Sequence, residues 1–414
     1  MVNLDLDFVR EQFPVFSHAE SAGWAHLENA GGSYVPKQVI SLMNDFFTLS
    51  KVQPYWDFGP SVKAGESMDR ALELLPVTFN AERDEIHFGP STSQNTYVLA
   101  QSLRPEWETG DEIIVTNQDH EANVGAWRRL EASGIKVNEW KVDSESGLLD
   151  IGDLEKLVNA RTRLLAITHA SNLAATINPI RELAALIHDV GGIVVTDGVS
   201  FAPHAAIDVK QLDCDIYLYS TYKTYGPHVG LMYTSPRVLR AASNQGHFFN
   251  SDKPTSRLTP AGPDHAAIAA CAGIIDYYED IFSHHFGGSG PSSLREKICR
   301  VFELFGEHEQ TIMTPLVEYV VSRADFRLIG SPSSDRTVRA PTIAFHSHSR
   351  PSREIYSSLI DAGVSCGHGN FYAHRLVEAV GLDADDGVVR LSLVHYNTAE
   401  EVAKALNVLD GIAP

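Results

Sequence analysis

Short apolar segments alternate with amphipathic segments through the first two-thirds of the chain, and this alternation restricts the fold more than any other feature. Six segments are predicted to be buried strands: residues 84–88, 111–116, 163–170, 192–198, 215–220 and 229–234. Several are continuous apolar runs, as expected where helices cover both faces of a sheet. Strand and helix repeated in this way predict an α/β fold with a mostly parallel sheet.

The pattern changes after about residue 253. Long helical segments follow, with strand candidates at residues 326–330, 340–347 and 388–396. This indicates a smaller α+β domain beside the large one. We assign residues 26–255 to a large α/β domain, and residues 1–25 and 256–414 to the small domain.

Charge and composition narrow the possible partners. The 414 residues are 43% hydrophobic and carry a formal net charge of −20. Nucleic acids and anionic membranes need a basic surface, so we expect neither as a partner. The sequence shows no signal peptide, and no apolar run approaches the roughly 20 residues that span a bilayer. The four cysteines and the histidines lack metal-ligand spacing. We therefore expect a cytoplasmic protein without a metal site.

Polar residues follow the predicted strands at the points where they end. They are Ser91 and Thr92, Asp119 and His120, Ser171 and Asn172, Asp197, and Lys223. In an open parallel sheet, ligands bind beyond these carboxyl ends. A confined lysine tends to lose its charge and becomes a nucleophile toward carbonyl compounds. A lysine, an acid, a planar ring and a helix N-terminus together suit pyridoxal phosphate (PLP).

Five short motifs follow one another between about residues 25 and 400. They are Asp119 to Asn123, Ser171-Asn172 through Thr176 to Pro179, Asp197-Gly198 with His204, Ser220 to Lys223 with Gly226-Pro227, and Arg390 to Thr398. In this order the sequence resembles the class V aminotransferases of the cysteine desulfurase type, which have PLP fold type I. The resemblance implies a large domain with a mostly parallel sheet, a smaller domain, and a homodimer.

The resemblance also implies roles for individual residues. Lys223 would hold PLP and then carry protons, Asp197 would pair with the pyridinium nitrogen, and His120 would stack on the ring. The other implied cofactor contacts are Asn172 at the ring hydroxyl, Ser91, Thr92, Ser220 and Tyr222 at the phosphate, and Ser200. Arg390 would bind a substrate carboxylate, for which a bidentate guanidinium is well suited. We expect Asn29 and Asn370 to contact substrate as well.

The chain departs from the family pattern where a desulfurase carries its persulfide cysteine. Asn370, Phe371 and Tyr372 occupy that place, and Cys366 lies several residues earlier. We expect Cys366 to be a small buried residue rather than a sulfur carrier. Residues 261–264 also replace the family's Gly-Thr-Pro, and Tyr222 replaces its phosphate-binding histidine.

We therefore expect a PLP-dependent enzyme acting on an amino acid, with C–S lyase or related β-elimination chemistry. Transamination and epimerisation begin with the same loss of the Cα proton and stay open. A cysteine desulfurase using Cys366 and a non-catalytic PLP-binding protein are further alternatives. A nucleotide-binding protein is disfavoured because neither G-x-G-x-x-G nor a P-loop follows a strand.

Overall fold

The computed structural model describes residues 2–287 and 293–412. Its strands are β1 Ala25–His26, β2 Ile86–Gly89, β3 Glu112–Thr116, β4 Lys136–Trp140, β5 Thr162–Thr168, β6 Ile193–Asp197, β7 Ile216–Ser220, β8 Gly230–Thr234, β9 Phe326–Leu328, β10 Thr342–Ser347, β11 Val364–Ser365, β12 Gly367–Gly369 and β13 Val388–Ser392.

The α-helices are α1 Leu6–Glu11, α2 Lys37–Leu49, α3 Gly59–Phe79, α4 Thr92–Leu103, α5 Glu121–Arg128, α6 Ile151–Glu155, α7 Ile180–His188, α8 Val209–Leu212, α9 Pro236–Ala241, α10 Pro254–Arg257, α11 His265–Ala270, α12 Ala272–Phe286, α13 Leu294–Ser322, α14 Ser352–Asp361, α15 His374–Ala379 and α16 Ala399–Gly411. None of these helices is long and apolar enough to cross a membrane.

The large sheet has seven strands in the order β2-β8-β7-β6-β5-β3-β4. Strands β4, β3, β5, β6 and β7 run parallel, and β8 is antiparallel to both of its neighbours. The predicted α/β fold with a mostly parallel sheet is confirmed. Strand β4 was not predicted, because its sequence KVNEW alternates polar residues and lies at the edge of the sheet.

Both faces of the large sheet are buried, which explains the continuous apolar runs. Leu165 points into a core with Leu183 and Ile187 of α7. Its neighbour Leu164 points into a second core with Trp127 of α5. Because successive side chains of a strand point to opposite faces, a strand between two helical layers must be apolar at every position.

A four-stranded antiparallel sheet, β12-β13-β10-β9, forms a second unit later in the chain. Its apolar face packs on α13, α14 and α16. Strand β1 pairs with β11, and the residues just after β1 bond to the end of β13, where Ser392 N donates to Leu27 O at 2.7 Å. The N-terminal segment thus joins this sheet. The exact domain bounds stay a prediction.

Candidate active site

The carboxyl ends of the parallel strands lie together at one end of the large sheet, and the residues that were predicted to follow these strands meet there. They line one cavity, which we call the lysine cavity: Ser91, Thr92, Ser93, His120, Ala122, Asp197, Val199, Ser200, Ser220, Tyr222, Lys223 and His228. Eight of the nine predicted cofactor contacts are among them, and Asn172 is not.

Lys223 lies in a single 3-10 turn, Thr221–Lys223, that follows β7 directly. Only 7% of the residue is exposed. Burial, and then the Arg390 guanidinium, lower the pKa of its amine to about 8, whereas Asp197 and Glu28 oppose the shift. At pH 7 roughly a tenth of the amine is therefore neutral, far more than for a lysine in water, and the neutral form is the one that attacks a carbonyl carbon.

The turn around Lys223 is held by its neighbours. Thr221 N donates to Val229 O at 3.1 Å, and Gly226 N donates to Thr221 O at 2.9 Å. A Cβ at Gly226 would lie 2.7 Å from Ile274 Cδ1 and 3.1 Å from Thr221 O, so a side chain fits at this position only if its neighbours shift. The Gly226-Pro227 pair that follows the lysine therefore closes the turn, and this fixes the backbone from which the Lys223 side chain extends.

Asp197 is the last residue of β6 and is 5% exposed. Its Oδ1 accepts a hydrogen bond from Val199 N at 2.9 Å, and its other oxygen has no partner among the described residues. Burial raises the pKa of the carboxyl group, while the Val199 N–H and Lys223 oppose the shift. A buried carboxylate with one free oxygen is ready to pair with a cationic ligand atom.

His120 caps α5, and its Nδ1 accepts a hydrogen bond from Ala122 N at 2.9 Å. Nε2 therefore carries the proton in the neutral ring. Burial, and then Lys223 and Arg390, lower the pKa of His120 to about 3, so the ring stays neutral. The preceding residue, Asp119, is fully buried and binds Asn123 Nδ2 at 2.7 Å, which fixes the loop that presents the ring.

The predicted phosphate contacts surround the N-terminus of the 12-residue helix α4. Ser91 Oγ caps this helix by accepting from Gln94 N at 3.2 Å, and Thr92 Oγ1 donates to Tyr219 O at 3.0 Å. The Tyr222 ring stacks on His228, with 4.6 Å between the ring centroids. Sequence reasoning missed His228 as a lining residue, although its position just after Gly226-Pro227 was a usable signal.

Arg390 lies in β13 of the small sheet and is 3% exposed. Its Nη2 donates to the Glu28 carboxylate, and its guanidinium lies 3.9 Å from the centroid of the Phe371 ring. Nε has no partner among the described residues. Glu28, which sequence reasoning missed, thus already accepts a hydrogen bond from the guanidinium group that was predicted to bind a substrate carboxylate.

The turn at Asn370, Phe371 and Tyr372 reaches the large domain. Asn172 Nδ2 donates to Phe371 O at 2.9 Å, and Glu121 N donates to Tyr372 O at 2.8 Å. Phe371 and Tyr372 both have left-handed φ angles, 50° and 61°, an arrangement that is costly for aromatic residues. The Tyr372 ring lies 5.2 Å from the His120 ring.

Two predicted substrate contacts have side chains that are already engaged. Asn29 Nδ2 donates to Ser392 O at 2.8 Å, and its Oδ1 accepts from the Tyr396 hydroxyl. Asn370 Oδ1 accepts from Tyr372 N at 3.1 Å, while its Nδ2 donates to Ala384 O. The two residues shape the site, and their contact with substrate stays a prediction.

Cys366 is 6% exposed and precedes β12. Burial, together with the charge of Glu28, raises the pKa of its thiol to about 12. Because the thiolate is the nucleophilic form, this cysteine is poorly suited to attack.

The chain is similar to known proteins over nearly its whole length. The family model for class-V aminotransferases matches residues 25–259. Aminotransferase-like protein FGM3 of Gibberella zeae is 35% identical over 419 residues, covering 99% of this chain and 98% of that protein. Cysteine desulfurase-like protein ustD of Aspergillus flavus is 29% identical, covering 99% and 91%.

Solved structures share the fold. A cysteine desulfurase from Thermococcus onnurineus superposes with a TM-score of 0.85 at 22% identity, covering 100% of this chain and 98% of that one. The predicted fold of the PLP type I class is therefore confirmed.

Proposed function

The chain belongs to the class V aminotransferase family of PLP-dependent enzymes, and on this premise we propose that it removes the Cα proton of an amino acid and then eliminates a sulfur-linked group from Cβ. The observation that carries the proposal is the buried Lys223 amine, which shares one cavity with the half-satisfied Asp197 carboxylate.

The residues of the lysine cavity fit PLP. Lys223 offers an amine that is easily neutralised, and Asp197 offers a free carboxylate oxygen for a pyridinium nitrogen. Asn172 does not line this cavity, but its buried Oδ1 has no hydrogen-bond partner among the described residues and could accept one from a ring hydroxyl. The N-terminus of α4 suits a phosphate. PLP bound there supplies an electron sink for the bond that breaks at Cα.

The protein groups divide the remaining work. The Lys223 amine takes the Cα proton, for which a pKa near the working pH is favourable. The neutral His120 ring gives a flat surface beside the reacting atoms and adds no further positive charge to a site that already holds Lys223 and Arg390. A substrate carboxylate displaces Glu28 from Arg390 and fixes the orientation of the amino acid.

Elimination is favoured over sulfur transfer by the state of Cys366. A persulfide carrier has to be an accessible thiolate, whereas Cys366 is buried and its pKa is raised to about 12. Phe371 and Tyr372 fill the place of the family's cysteine. A sulfur leaving group is therefore released rather than captured by the protein.

Product identification tests this proposal. The PLP-loaded enzyme is incubated with cysteine, cystine and cysteine conjugates, and the carbon product is identified by mass spectrometry. Elimination gives pyruvate or another keto acid. Alanine with a persulfide on Cys366 would establish the desulfurase alternative. Transfer of the amino group to a keto acid would establish an aminotransferase, and inverted Cα configuration an epimerase. No Cα–H exchange in deuterium oxide would leave a non-catalytic PLP protein.

We also propose a homodimer, as the resemblance implies. Large apolar side chains are exposed in one stretch of the chain: Phe47 (54%), Leu49 (51%), Tyr55 (58%), Trp56 (63%) and Phe58 (50%). Exposed apolar side chains at this density mark interaction surfaces. Light scattering should give twice the chain mass. A cytoplasmic location remains our proposal, supported by four cysteines that are all free.

A further inference from the structure

Two further cavities of the structure share one histidine. A small cavity of about 10 Å³ is lined by Lys223, His204 and the polar residues Asn29, Ser200 and Ser392, among others. That volume holds about one water molecule, and the polar lining would bind it. A larger cavity of about 300 Å³ is lined by His204, Glu309, Gln310 and Arg336, among others. His204 therefore stands between Lys223 and a second opening of the fold.

His204 is paired with a buried carboxylate. Its Nδ1 lies 3.0 Å from Glu309 Oε2, and the two side chains are 11% and 3% exposed. Because a carboxylate can only accept, Nδ1 carries the proton and Nε2 is left as the basic atom. Nε2 makes no hydrogen bond within the part of the chain that the structure describes. A histidine oriented by a carboxylate is the usual arrangement of a general base.

Glu309 is a costly residue for a purely structural role. It lies on α13, and its Oε1 is buried without a partner among the described residues. The guanidinium groups of Arg336 and Arg339 line the same cavity, but among the described residues neither forms an ion pair with Glu309, and the Tyr225 side chain lies nearby. Burying a carboxylate with a single hydrogen-bond partner costs free energy that a neutral residue would avoid.

We propose that His204 and Glu309 form a proton relay that connects Lys223 with solvent through the larger cavity. This inference rests on the proposed function, because it gives the lysine a route for its proton. A proton leaves Lys223 Nζ for a water in the small cavity, and that water passes a proton to His204 Nε2. The Nδ1–H···Oε2 bond then stabilises the imidazolium against the Glu309 carboxylate.

A separate route is useful because of where ligands bind. PLP that enters the lysine cavity would block its opening to solvent, so a Lys223 amine that still carries its proton needs another route by which to lose it. The small cavity reaches Lys223 together with Asn29, Ser200 and Ser392, and it meets the larger cavity at His204. Lys223 can therefore exchange protons while the lysine cavity is occupied. In this account His204 and Glu309 are positioning residues that act through Lys223.

The test is the rate at which apo-protein captures PLP, followed by the visible absorption of the lysine-linked cofactor. Capture requires the neutral amine: Nζ bonds to the aldehyde carbon, and the two amine hydrogens leave with the aldehyde oxygen as water. We expect His204→Asn and Glu309→Gln each to slow capture about tenfold at pH 7, a small part of the roughly 100-fold or more that positioned acids and bases contribute. The difference should shrink as the pH rises above about 8, because most of the Lys223 amine has then lost its proton before PLP enters.

The controls separate a relay from a structural role. His188 and Asp215 form a second histidine–carboxylate pair, 2.8 Å apart, at the opposite end of β7, and His188→Asn should capture PLP at the wild-type rate. Equilibrium dialysis should give unchanged PLP affinity in both relay variants. Added imidazole should restore capture by His204→Ala, because the 300 Å³ cavity admits it.

Each result decides a different claim. Wild-type capture rates in both relay variants at pH 7 would overturn the relay. An equal loss at every pH, together with weaker PLP binding, would assign His204 and Glu309 to folding only and would also overturn it. If the wild-type protein formed no covalent bond with PLP, the proposed function would fail and the relay with it.

Discussion

Two buried carboxylates, at opposite ends of the strands of the large sheet, differ in how many hydrogen bonds they accept. At the amino end of β7, Asp215 accepts from Val194 N at 2.9 Å and from His188 Nε2 at 2.8 Å, and Ser235 Oγ lies 3.3 Å away. At the carboxyl end of β6, the Asp197 side chain accepts one hydrogen bond from the described part of the chain, from Val199 N. The two residues are about equally buried, at 4% and 5% exposure.

The comparison separates structural from functional acids. A carboxylate that is saturated by protein donors stabilises the fold and has no capacity left for a ligand. A buried carboxylate with a free oxygen is kept at a cost, and such exceptions concentrate at functional sites. Burial alone would not distinguish the two residues, but their hydrogen-bond partners do.

The largest expected effect is at the carboxyl end. Lys223→Ala removes the one amine among the described residues that line the lysine cavity. We expect Cα–H exchange of bound amino acids to fall to background, a loss of at least about 100-fold for a missing general base. Proton NMR in deuterium oxide measures the exchange. Exchange at the wild-type rate in the variant would show that another group removes the proton.

Replacing the carboxylate at either end with an amide tests the comparison directly. Asp197→Asn should retain PLP and slow Cα–H exchange by about 100-fold to 1,000-fold, or roughly 3–4 kcal/mol of barrier. Asp215→Asn should leave exchange intact and lower the free energy of unfolding by about 1–3 kcal/mol, since buried donors lose their acceptor. Thermal unfolding and exchange are measured on both variants. The reverse pattern would refute the distinction.

The pH dependence of PLP capture gives a smaller, tunable effect. Below about pH 8 the neutral fraction of the Lys223 amine falls about tenfold per pH unit, so capture should slow as pH falls and level off above that value. Arg390 lowers this pKa and Asp197 raises it. Arg390→Gln should therefore shift the profile to higher pH, and Asp197→Asn to lower pH. A profile unmoved by either variant would mean that the two charges do not act on Lys223.

The smallest expected effect is at Cys366. Cys366→Ser should retain most of the activity with any substrate, because the buried thiol does not reach the reaction. Initial rates with each accepted amino acid provide the measurement. A loss of activity of more than about tenfold, with the fold intact by circular dichroism, would show that Cys366 takes part in the reaction.

The sequence predicts the carboxyl end of the sheet better than any other region. Asp197 and Lys223 could be placed because each directly follows a continuous apolar strand, and the order of strands along the chain brings their ends together. Strand β4 was not predicted because it lies at the edge of the sheet, where polar residues are tolerated, and its sequence has no continuous apolar run.

Pairings between distant segments could not be predicted at all. Glu28 and Arg390 are 362 residues apart, and His204 and Glu309 are 105 apart. Neither pair leaves a local pattern, since side-chain contacts between a loop and a strand, or between a loop and a long helix, depend on how the small sheet and α13 pack against the large domain. Only the three-dimensional structure shows that Arg390 is already engaged and that Glu309 is buried.

The central claim is that Lys223 is the residue that binds PLP. The most direct measurement is to load the protein with PLP, reduce it with borohydride, digest it and locate the modified lysine by mass spectrometry. We predict one modification, on the peptide that contains Lys223, and none on that peptide in a control from which borohydride is omitted. A modification at a different lysine, or no modification at all, would contradict the account.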